Sequence, residues 1–247
     1  MARLIVLGGT GDLGRAIVTK AKAAGHDVVA ASRSGQVKID VTTGQGLDKA
    51  FAGVDVVMDA TNALAGAHDV LVDGTRRVLE AAARAGVKHF VGISIVGIDD
   101  APIAYYRTKV AQEKVIEEDR VPWTLLRATQ FHDLIPKLAA AKLGIVFAPR
   151  GMKIQPIDVR EVAAVLVDAV AAGPKKRLPD IGGPAVRDFP ELARLWKRAA
   201  HKKRLILAVP VPGATGQFLR AAKLCCPGRA VGTISFESWL SETYPTT

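Results

Sequence analysis

The most constraining feature of this sequence is a glycine-rich segment that starts at its eighth residue. It follows a short apolar run, residues 4–7, and precedes a helical pattern of small and apolar residues: Ala16, Ile17, Ala21 and Ala24. A buried parallel strand is typically apolar, branched and uncharged, as this run is. Strand, glycine-rich turn and helix in this order predict the start of a βαβ unit that binds a dinucleotide.

Each glycine of the pattern Gly8-x-x-Gly11-x-x-Gly14 has a physical reason. The first allows a sharp turn out of the strand, the second lets a pyrophosphate approach the backbone, and the third lets the helix pack closely. Free N–H groups and the positive dipole end of the helix then face the phosphates. The turn residues expected to contact the cofactor are Gly8, Thr10, Gly11, Asp12, Leu13 and Gly14. The alternative is a turn that serves only packing.

Length and composition are consistent with one folded domain. The chain has 247 residues, of which 49% are hydrophobic, enough for a substantial core. No run of 18 apolar residues is present, so no transmembrane helix is predicted, and the N-terminus lacks a signal-peptide pattern. The adjacent Cys225 and Cys226 are expected to be free thiols. These features together favour the cytoplasm.

The net charge of +10 is concentrated in the last third of the chain. Residues 172–247 contain 13 Lys and Arg against 5 Asp and Glu, a net charge of +8. Such an excess fits an anionic partner, namely a phosphorylated cofactor, an acidic membrane surface or a nucleic acid. A solvated charged exterior is the favoured interpretation. Aromatic residues are not interleaved with the basic ones, so nucleic-acid binding is not expected.

Strands and helical patterns alternate through the first two-thirds of the chain. After the first strand, further strands are predicted at residues 27–31, 36–39, 54–58, 89–94 and 123–127. Helices are predicted at residues 69–85, 103–118 and 131–142. This alternation predicts an α/β fold of the Rossmann type, with a doubly wound parallel sheet covered by helices on both faces.

The regular alternation of strands and helices ends after Gly144. Strands are predicted at residues 145–148 and 152–157, and a helix at residues 159–172 follows the capping residue Asp158. The last predicted elements are an extended stretch at 178–181, a helix at 189–200, a strand at 204–208 and a short helix near 217–224. We expect one domain over residues 1–247. It would have a Rossmann core at 1–143 and a small mixed α/β lobe at 144–247 on the substrate side.

The end of the second strand indicates which dinucleotide binds. An acidic residue at this point would hold the ribose hydroxyls of NAD, but the sequence reads Ser32-Arg33-Ser34 there. Asp27 lies at the opposite end of the strand. A guanidinium beside hydroxyl groups suits the 2′-phosphate of NADP, which Arg binds through paired, charge-assisted hydrogen bonds. Ser32 and Arg33 therefore predict NADP(H); an ordinary surface arginine is the alternative.

Two further segments are candidates for the adenosine half of the cofactor. Asp40, after the third strand, either accepts from the adenine amino group or caps its own loop. After the fourth strand, the small and polar residues Ala60, Thr61 and Asn62 would let the backbone pass close to the adenosine ribose. An ordinary turn would explain them equally well.

Candidate catalytic residues follow the fifth strand. Ser94 lies at its carboxyl end, where open α/β sheets bind ligands, and Tyr105 and Lys109 are four residues apart on one helical face. A nearby ammonium favours the phenolate form of a tyrosine, so this pair could exchange a proton with a carbonyl or alcohol oxygen. Ser94 could hydrogen-bond the same oxygen. Tyr106 is the alternative phenol, three residues from Lys109.

Six segments in this order resemble an atypical short-chain dehydrogenase/reductase of the NmrA-like, NAD(P)H-binding group: GGTGDLG, SRS, ISIVG, YYRTKVAQEKVI, WTLLRATQFHDLI and IQPIDVREVA. The resemblance covers nearly the whole chain and implies a Rossmann fold with NADP(H) across the strand edges. It also implies the Ser–Tyr–Lys roles for Ser94, Tyr105 and Lys109. Lys109 would contact the nicotinamide ribose, and the segment of residues 128–132, which includes Phe131, would border the nicotinamide.

These observations predict an NADPH-dependent oxidoreductase that reduces a small carbonyl, enone, imine or quinone-like substrate. The alternative is a non-catalytic NADP(H) sensor whose basic last third docks a partner, because the wider group contains such members. A third hypothesis is a peripheral enzyme at an acidic membrane. His132 is either a packed residue or part of a substrate pocket. No HExxH or CxxC motif is present, so no metal is expected, and the oligomeric state is open.

Overall fold

A computed structural model of the protein describes residues 1–139 and 144–245. The chain forms two compact units. The first unit is built from Met1–Ser94, Ala104–Arg127 and Val159–Pro179. The second is built from Ile95–Ile103, Ala128–Asp158 and Asp180–Thr247. The sequence-based organisation as one domain with a boundary at residue 143 remains a prediction.

The elements alternate as predicted along the first part of the chain. In order they are β1 (Arg3–Leu7), α1 (Asp12–Ala23), β2 (Asp27–Ser32), β3 (Val37–Lys38), α2 (Leu47–Phe51), β4 (Val56–Asp59), a π-helical turn (Asp69–Asp73), α3 (Gly74–Ala85), β5 (His89–Ile95), α4 (Ala104–Glu117) and β6 (Trp123–Ala128).

The remaining elements follow in the second half of the chain. They are α5 (Leu134–Ala139), β7 (Ile145–Pro149), β8 (Lys153–Ile154), α6 (Val159–Ala172), β9 (Lys176–Arg177), β10 (Arg187–Asp188), α7 (Phe189–Ala199), β11 (Leu205–Val209), α8 (Gly213–Arg220), a 3-10 turn (Pro227–Arg229) and α9 (Phe236–Thr243). The helix predicted at 131–142 begins only at Leu134, and its last three positions lie outside the described residues.

The main sheet has the strand order β3-β2-β1-β4-β5-β6-β9. The chain winds outward from β1 through β2 to β3, then crosses back to β4 and winds the other way. Both β2 and β4 pair with β1 in parallel. This is the Rossmann arrangement, and it confirms the predicted fold class. Open sheets of this kind bind ligands where the winding reverses, at the carboxyl ends of the two strands concerned. Here those strands are β1 and β4.

Both faces of this sheet are covered, which explains why its strands lack an alternating polar pattern. Leu4, Ile5, Val6 and Leu7 are fully buried, although successive side chains point to opposite faces. Helices α2, α3 and α4 supply side chains to the core around Ile5 and Leu7. The helices α1 and α6 pack against each other. The two-sided burial predicted from the apolar runs is therefore present.

The second unit contains two small sheets and several helices. Strands β7 and β11 pair in parallel, and β8 pairs with β10 antiparallel. Its core contains large side chains from α7, such as Phe189 and Trp196, together with Phe236 and Leu240 from α9. None of the helices in the described part of the chain is both long and apolar enough to cross a bilayer.

Two sequence-based assignments in the second unit are wrong. The short helix predicted near 217–224 lies earlier, as α8, and α9 was not predicted. The start of α9 has a clear local cause, because the Ser235 hydroxyl accepts a hydrogen bond from the Ser238 N–H at 3.0 Å. Phe236 and Leu240, four residues apart, are both buried on one face.

Cys225 and Cys226 are free thiols, as predicted. Burial raises the pKa of each to about 11, with a further raising effect of Cys226 on Cys225 and of Asp180 on Cys226. The thiolate is the reactive form of cysteine, so neither residue supplies much nucleophile near neutral pH.

A buried histidine makes the stability of the first unit dependent on pH. Burial lowers the pKa of His89 to about 4, and its Nε2 lies 2.8 Å from the Thr124 hydroxyl. In the unfolded chain the imidazole titrates near 6.5. The folded pKa is the lower one, so the stabilisation is complete above pH 6.5 and is lost as pH falls towards 4. We expect this group to account for a loss of about 2–3 kcal/mol.

Urea unfolding of His89→Gln measures this effect. The variant should be less stable than the wild type at neutral pH, but should lose less stability on going to about pH 4.5. His201→Asn is the matched control, because His201 is exposed and its φ of 50° suits asparagine. An identical pH dependence for His89→Gln and the wild type would contradict the prediction.

Candidate active site

The glycine turn after β1 lies against two neighbouring backbone segments. Gly8 has a φ of 68°, and a Cβ there would lie 2.7 Å from the Ala60 carbonyl oxygen in the loop after β4. A Cβ on Gly14 would lie 2.1 Å from the Gly8 carbonyl oxygen. Neither position has room for a side chain. The turn therefore holds the start of α1 close to the carboxyl ends of β1 and β4.

The amino end of α1 is open to an anion. The cap residue is Gly11, which has no side chain to hydrogen-bond the first backbone N–H groups of the helix. A Cβ on Gly11 would meet only the Gly8 carbonyl oxygen, at 3.3 Å, so the outer side of the turn is unobstructed. Asp12 is exposed and pairs with Arg15 at 2.7 Å, while Leu13 is buried. These features suit a pyrophosphate.

The turn after β2 contains a buried hydroxyl without a hydrogen-bond partner. Ser32 Oγ is inaccessible to solvent and makes no hydrogen bond. A Cβ on Gly35 would lie 2.7 Å from this oxygen and 3.6 Å from the methyl group of Thr10, so the β2 turn lies beside the glycine turn. Arg33 is exposed next to it. An unsatisfied buried hydroxyl beside an exposed guanidinium fits a phosphate that both would bind.

Asp40 is already engaged within its own loop. Its Oδ1 accepts hydrogen bonds from the Thr42 N–H at 2.8 Å and from the Thr42 hydroxyl at 2.6 Å. The bonds from Thr42 lower the pKa of the Asp40 carboxyl, and the charge of Arg33 adds to this effect. The loop-cap interpretation thus describes what the structure shows. The contact of Asp40 with an adenine remains a prediction.

The loop after β4 connects the glycine turn to the tyrosine predicted as catalytic. Asp59 is buried, and its Oδ1 accepts from the Thr61 N–H at 2.9 Å. Burial raises the pKa of the Asp59 carboxyl, against the lowering effects of Thr61 and of the Lys109 charge. Asn62 Oδ1 accepts a hydrogen bond from the Tyr105 hydroxyl at 2.9 Å. The phenol is therefore held at the carboxyl end of β4.

The Tyr105 phenol is a hydrogen-bond donor in this structure. Burial raises the pKa of Tyr105, and the hydrogen bond to Asn62 only partly offsets this. Burial, with a smaller effect of Tyr105, raises the pKa of Tyr106 to about 12. The two rings are in contact, with their centroids 5.6 Å apart. Near neutral pH both phenols keep their protons.

Lys109 is buried within a chain of hydrogen bonds. Its Nζ donates to the Ile93 carbonyl at 2.9 Å and to Gln112 Oε1 at 2.6 Å, and Gln112 Nε2 donates to the Thr75 hydroxyl at 3.0 Å. Burial lowers the pKa of Lys109 to about 8, against the raising effects of Asp59 and Glu113. The buried ammonium is thus held by a backbone carbonyl and an amide oxygen.

The expected effect of Lys109 on the phenol remains a prediction. Lys109 is not among the groups that shift the pKa of Tyr105, since burial and Asn62 account for that shift. Both residues lie on α4, but Lys109 points its ammonium at the end of β5 through Ile93. The four-residue spacing predicted that Tyr105 and Lys109 share a helix. The position of the Lys109 ammonium is determined by its hydrogen bond to the Ile93 carbonyl of β5.

Ser94 lies beside a buried ion-pair cluster around Glu113. Its hydroxyl is buried and makes no hydrogen bond of ordinary geometry, although it lies near enough to Glu113 to help lower the pKa of that carboxyl. Burial opposes this shift, but the hydrogen bonds from Arg127 and Arg177 and the nearby Ser94 hydroxyl outweigh it. Both arginines pair with Glu113, at 2.6 and 2.7 Å. The predicted contact of Ser94 with a substrate oxygen remains a prediction.

Phe131 and His132 belong to the second unit. The backbone of Phe131 bridges to Ile157, and its role beside the nicotinamide stays a prediction. His132 is buried, with its Nε2 3.0 Å from the Ile234 carbonyl oxygen and its ring packed near Phe236 and Trp239. The structure thus favours the interpretation of His132 as a packed residue.

Several residues of this network were not singled out by sequence reasoning. Gln112 and Glu113 follow Lys109 by three and four residues, so their position on its helical face could have been read from the sequence. Asp59 and Thr75 could not, because they reach α4 only through tertiary packing. One exposed group of metal-type ligands occurs in the described part of the chain, His68, Asp69 and Asp73. Asp73 already pairs with Arg76 there at 2.9 Å.

Comparison with known proteins identifies the same architecture. The sequence profile of an NAD(P)H-binding family matches residues 8–172. The NADPH-dependent quinone oxidoreductase from Escherichia coli, solved with NADPH, superimposes with a TM-score of 0.78 at 18% identity, covering 98% of this chain and 99% of that one. Triphenylmethane reductase from Citrobacter sp. superimposes with a TM-score of 0.68 at 19% identity, over 97% and 94% of the two chains.

Two curated relatives are similar in sequence. A (4-alkanoyl-5-oxo-2,5-dihydrofuran-3-yl)methyl phosphate reductase from Streptomyces griseus is 31% identical over 199 residues, which span 73% of this chain and 68% of the relative. The photosystem II assembly factor Ycf39 from Synechocystis sp. is 29% identical over 245 residues, 89% of this chain and 73% of the relative. Together with the glycine turn at the switch point, these matches show that the chain belongs to an NAD(P)H-binding family, as its sequence motifs indicated.

Proposed function

We propose that this protein is an NADPH-dependent reductase of a conjugated carbonyl compound, such as a quinone or an enone, with Tyr105 as the proton donor. One observation carries the proposal: the Tyr105 hydroxyl donates to Asn62 in the loop after β4. Ala60 of the same loop lies against Gly8 in the turn that would hold the pyrophosphate. A protonated phenol thus stands at the edge of the sheet where the dinucleotide is expected.

The residues around the glycine turn favour NADPH over NADH. The unpartnered Ser32 hydroxyl and the exposed Arg33 would bind the 2′-phosphate, and no carboxylate occupies the end of β2. The uncapped start of α1, at Gly11 through Gly14, would bind the pyrophosphate. Ala60, Thr61 and Asn62 would line the adenosine side.

In the proposed reaction the cofactor supplies the hydride and the protein supplies the proton. The reduced nicotinamide, when bound, supplies a hydride to the substrate carbon. Tyr105 gives its proton to the substrate oxygen, which suits a phenol whose pKa is raised and which is therefore protonated at neutral pH. Asn62 orients the phenol through its Oδ1. Lys109, held by Ile93 and Gln112, contributes positive charge behind the site while it remains protonated.

The substrate class is taken from similar proteins. The names of two of them specify a quinone and a 5-oxo-2,5-dihydrofuran phosphate as acceptors. Both are carbonyl compounds with conjugated double bonds. A substrate of this kind accepts a hydride at carbon and a proton at oxygen, which are the two transfers described above. The free thiols are consistent with a reducing cytoplasm as the place of this reaction.

Consumption of NADPH tests the proposal. Purified protein is mixed with NADPH and a set of short-chain quinones, α,β-unsaturated ketones and saturated ketones, and absorbance at the nicotinamide band is followed. We expect turnover with quinones or enones, and slower turnover with NADH. Tight NADPH binding without consumption of NADPH by any acceptor would contradict the reductase and support the sensor.

The sensor is the second candidate function. It is supported by the similarity to Ycf39, a protein named as an assembly factor rather than an enzyme. It is also consistent with the hydrogen bonds of the Lys109 ammonium, which donates to Ile93 and Gln112. A sensor should bind NADP and NADPH with different affinities, which calorimetry with each nucleotide would measure.

A further inference from the structure

The two-stranded parallel sheet of the second unit has one uncovered apolar face. The register pairs Leu205 with Ile145 and Leu207 with Phe147, so these four side chains form two adjacent rows. Phe147 is 65% exposed, Leu205 54%, Leu207 38% and Ile145 36%. These four residues are called the apolar face below. They account for half of the exposed large hydrophobic side chains in the described part of the chain.

The opposite face of the same sheet is packed normally. Val146 and Ala148 of β7 are buried, and Ile206 of β11 packs with them against the core that contains Leu192 and Trp196 of α7. Parallel sheets almost always have both faces covered, because their connections place other elements on each side. An apolar, uncovered face on a parallel pair therefore marks a surface that another partner covers.

Basic side chains lie at both ends of the apolar face. Lys202 and Lys203 are exposed and lie just before β11, separated from it by Arg204, at the end where Leu205 pairs with Ile145. Arg150 is exposed and directly follows β7, where its N–H donates to the Val209 carbonyl oxygen. No acidic residue occurs between positions 192 and 236 of the sequence. The apolar face is thus bordered by positive charge.

The charge and the size of this surface argue against a second copy of the chain. Two copies meeting through it would bring their lysines and arginines together and repel each other. Stable protein interfaces bury roughly 800 Å² per partner, which is more than four partly covered side chains provide. A few inserted apolar side chains within a basic border are instead sufficient for reversible binding to an anionic bilayer.

We propose that the apolar face and its flanking cations form a peripheral docking site for an anionic lipid bilayer. Phe147 and Leu205, the most exposed members, enter the boundary between headgroups and acyl chains. Lys202, Lys203 and Arg150 lie at the level of the anionic headgroups, where each cation near the surface strengthens binding about fivefold. This inference goes beyond the proposed reductase activity and does not depend on it.

Co-sedimentation with vesicles tests the docking site on the full chain. Vesicles of phosphatidylcholine alone are compared with vesicles that contain about one-third phosphatidylglycerol. We expect binding to the anionic vesicles only, with most of it lost at ~1 M salt because the headgroup attraction is screened. The double variant Phe147→Ser/Leu205→Ser and the double variant Lys202→Glu/Lys203→Glu should each bind at least tenfold more weakly.

Matched control variants test whether vesicle binding depends on the proposed site or only on the overall hydrophobicity and charge of the surface. Leu64→Ser removes an exposed leucine elsewhere, and Lys20→Glu/Lys22→Glu makes the same charge change on α1. Both should bind like the wild type, and all variants should keep the wild-type melting temperature. Equal binding of all variants would overturn the proposal. So would equal binding to neutral vesicles, or a dimer in light scattering that Phe147→Ser/Leu205→Ser dissolves while no vesicle binding occurs.

Discussion

Tyr105→Phe is expected to lower kcat for reduction by roughly 10²–10⁴-fold while the Kd for NADPH changes little. The substitution removes one oxygen, which in the free protein contacts only Asn62 among the hydrogen bonds described. The ring, its packing against Tyr106 and the backbone of α4 are kept. The lost proton donor therefore affects the chemical step, and the nucleotide site around the glycine turn stays intact.

Tyr106→Phe is the control for this experiment. Tyr106 is the neighbouring phenol on α4, and its ring packs against that of Tyr105. The proposal assigns it no proton transfer, so the loss of its hydroxyl should leave kcat close to the wild-type value. Steady-state kinetics with one accepted quinone and fluorescence titration with NADPH provide the two measurements. If Tyr106→Phe lost activity and Tyr105→Phe kept it, the roles of the two phenols would have to be exchanged.

Arg33→Asp is expected to weaken NADPH binding by about 10²-fold or more while NADH binding improves or stays the same. Arg33 is exposed at the end of β2, beside the unpartnered Ser32 hydroxyl. A charge-assisted hydrogen bond contributes about 1.5–3 kcal/mol, and reversing the charge adds repulsion from the 2′-phosphate. A carboxylate at this point can also accept from the ribose hydroxyls of NADH.

Calorimetric titration with both nucleotides measures the switch in preference. Lys20→Asp introduces the same charge change on the exposed side of α1, and it should alter neither affinity appreciably. If Arg33→Asp weakened the affinities for NADPH and NADH equally, Arg33 would not bind the 2′-phosphate. The melting temperature provides a check that the β2 turn keeps its structure.

The fold of the first unit could be predicted because its information is local. Apolar runs such as residues 4–7 mark strands buried on both faces, and the glycine spacing marks the turn that precedes α1. Each depends on neighbours within a few residues. The short α9 in the second unit was missed, because its Ser235 cap and two buried apolar residues give too brief a pattern.

The candidate site could be predicted only in part. Tyr105 and Lys109 were expected on one helix, and both lie on α4. Their partners come from distant segments: Asn62 lies 43 residues from Tyr105, and Thr75 lies 37 residues from Gln112. Ser94 was expected near Tyr105, yet its hydroxyl lies beside Glu113. A strand residue faces whichever element packs on its side of the sheet, and the spacing along the chain does not specify that element.

The sequence by itself determined the dinucleotide-binding βαβ unit, the absence of a carboxylate at the end of β2, and the helix that carries Tyr105 and Lys109. These features depend on periodicity and on glycine stereochemistry, which act over a few residues. The tertiary structure decided that Lys109 is buried against Ile93 and Gln112, that Asn62 holds the Tyr105 phenol, and that the β7–β11 pair leaves an apolar face uncovered. Each of these depends on which distant segments pack together, and packing is settled only when the whole chain has folded.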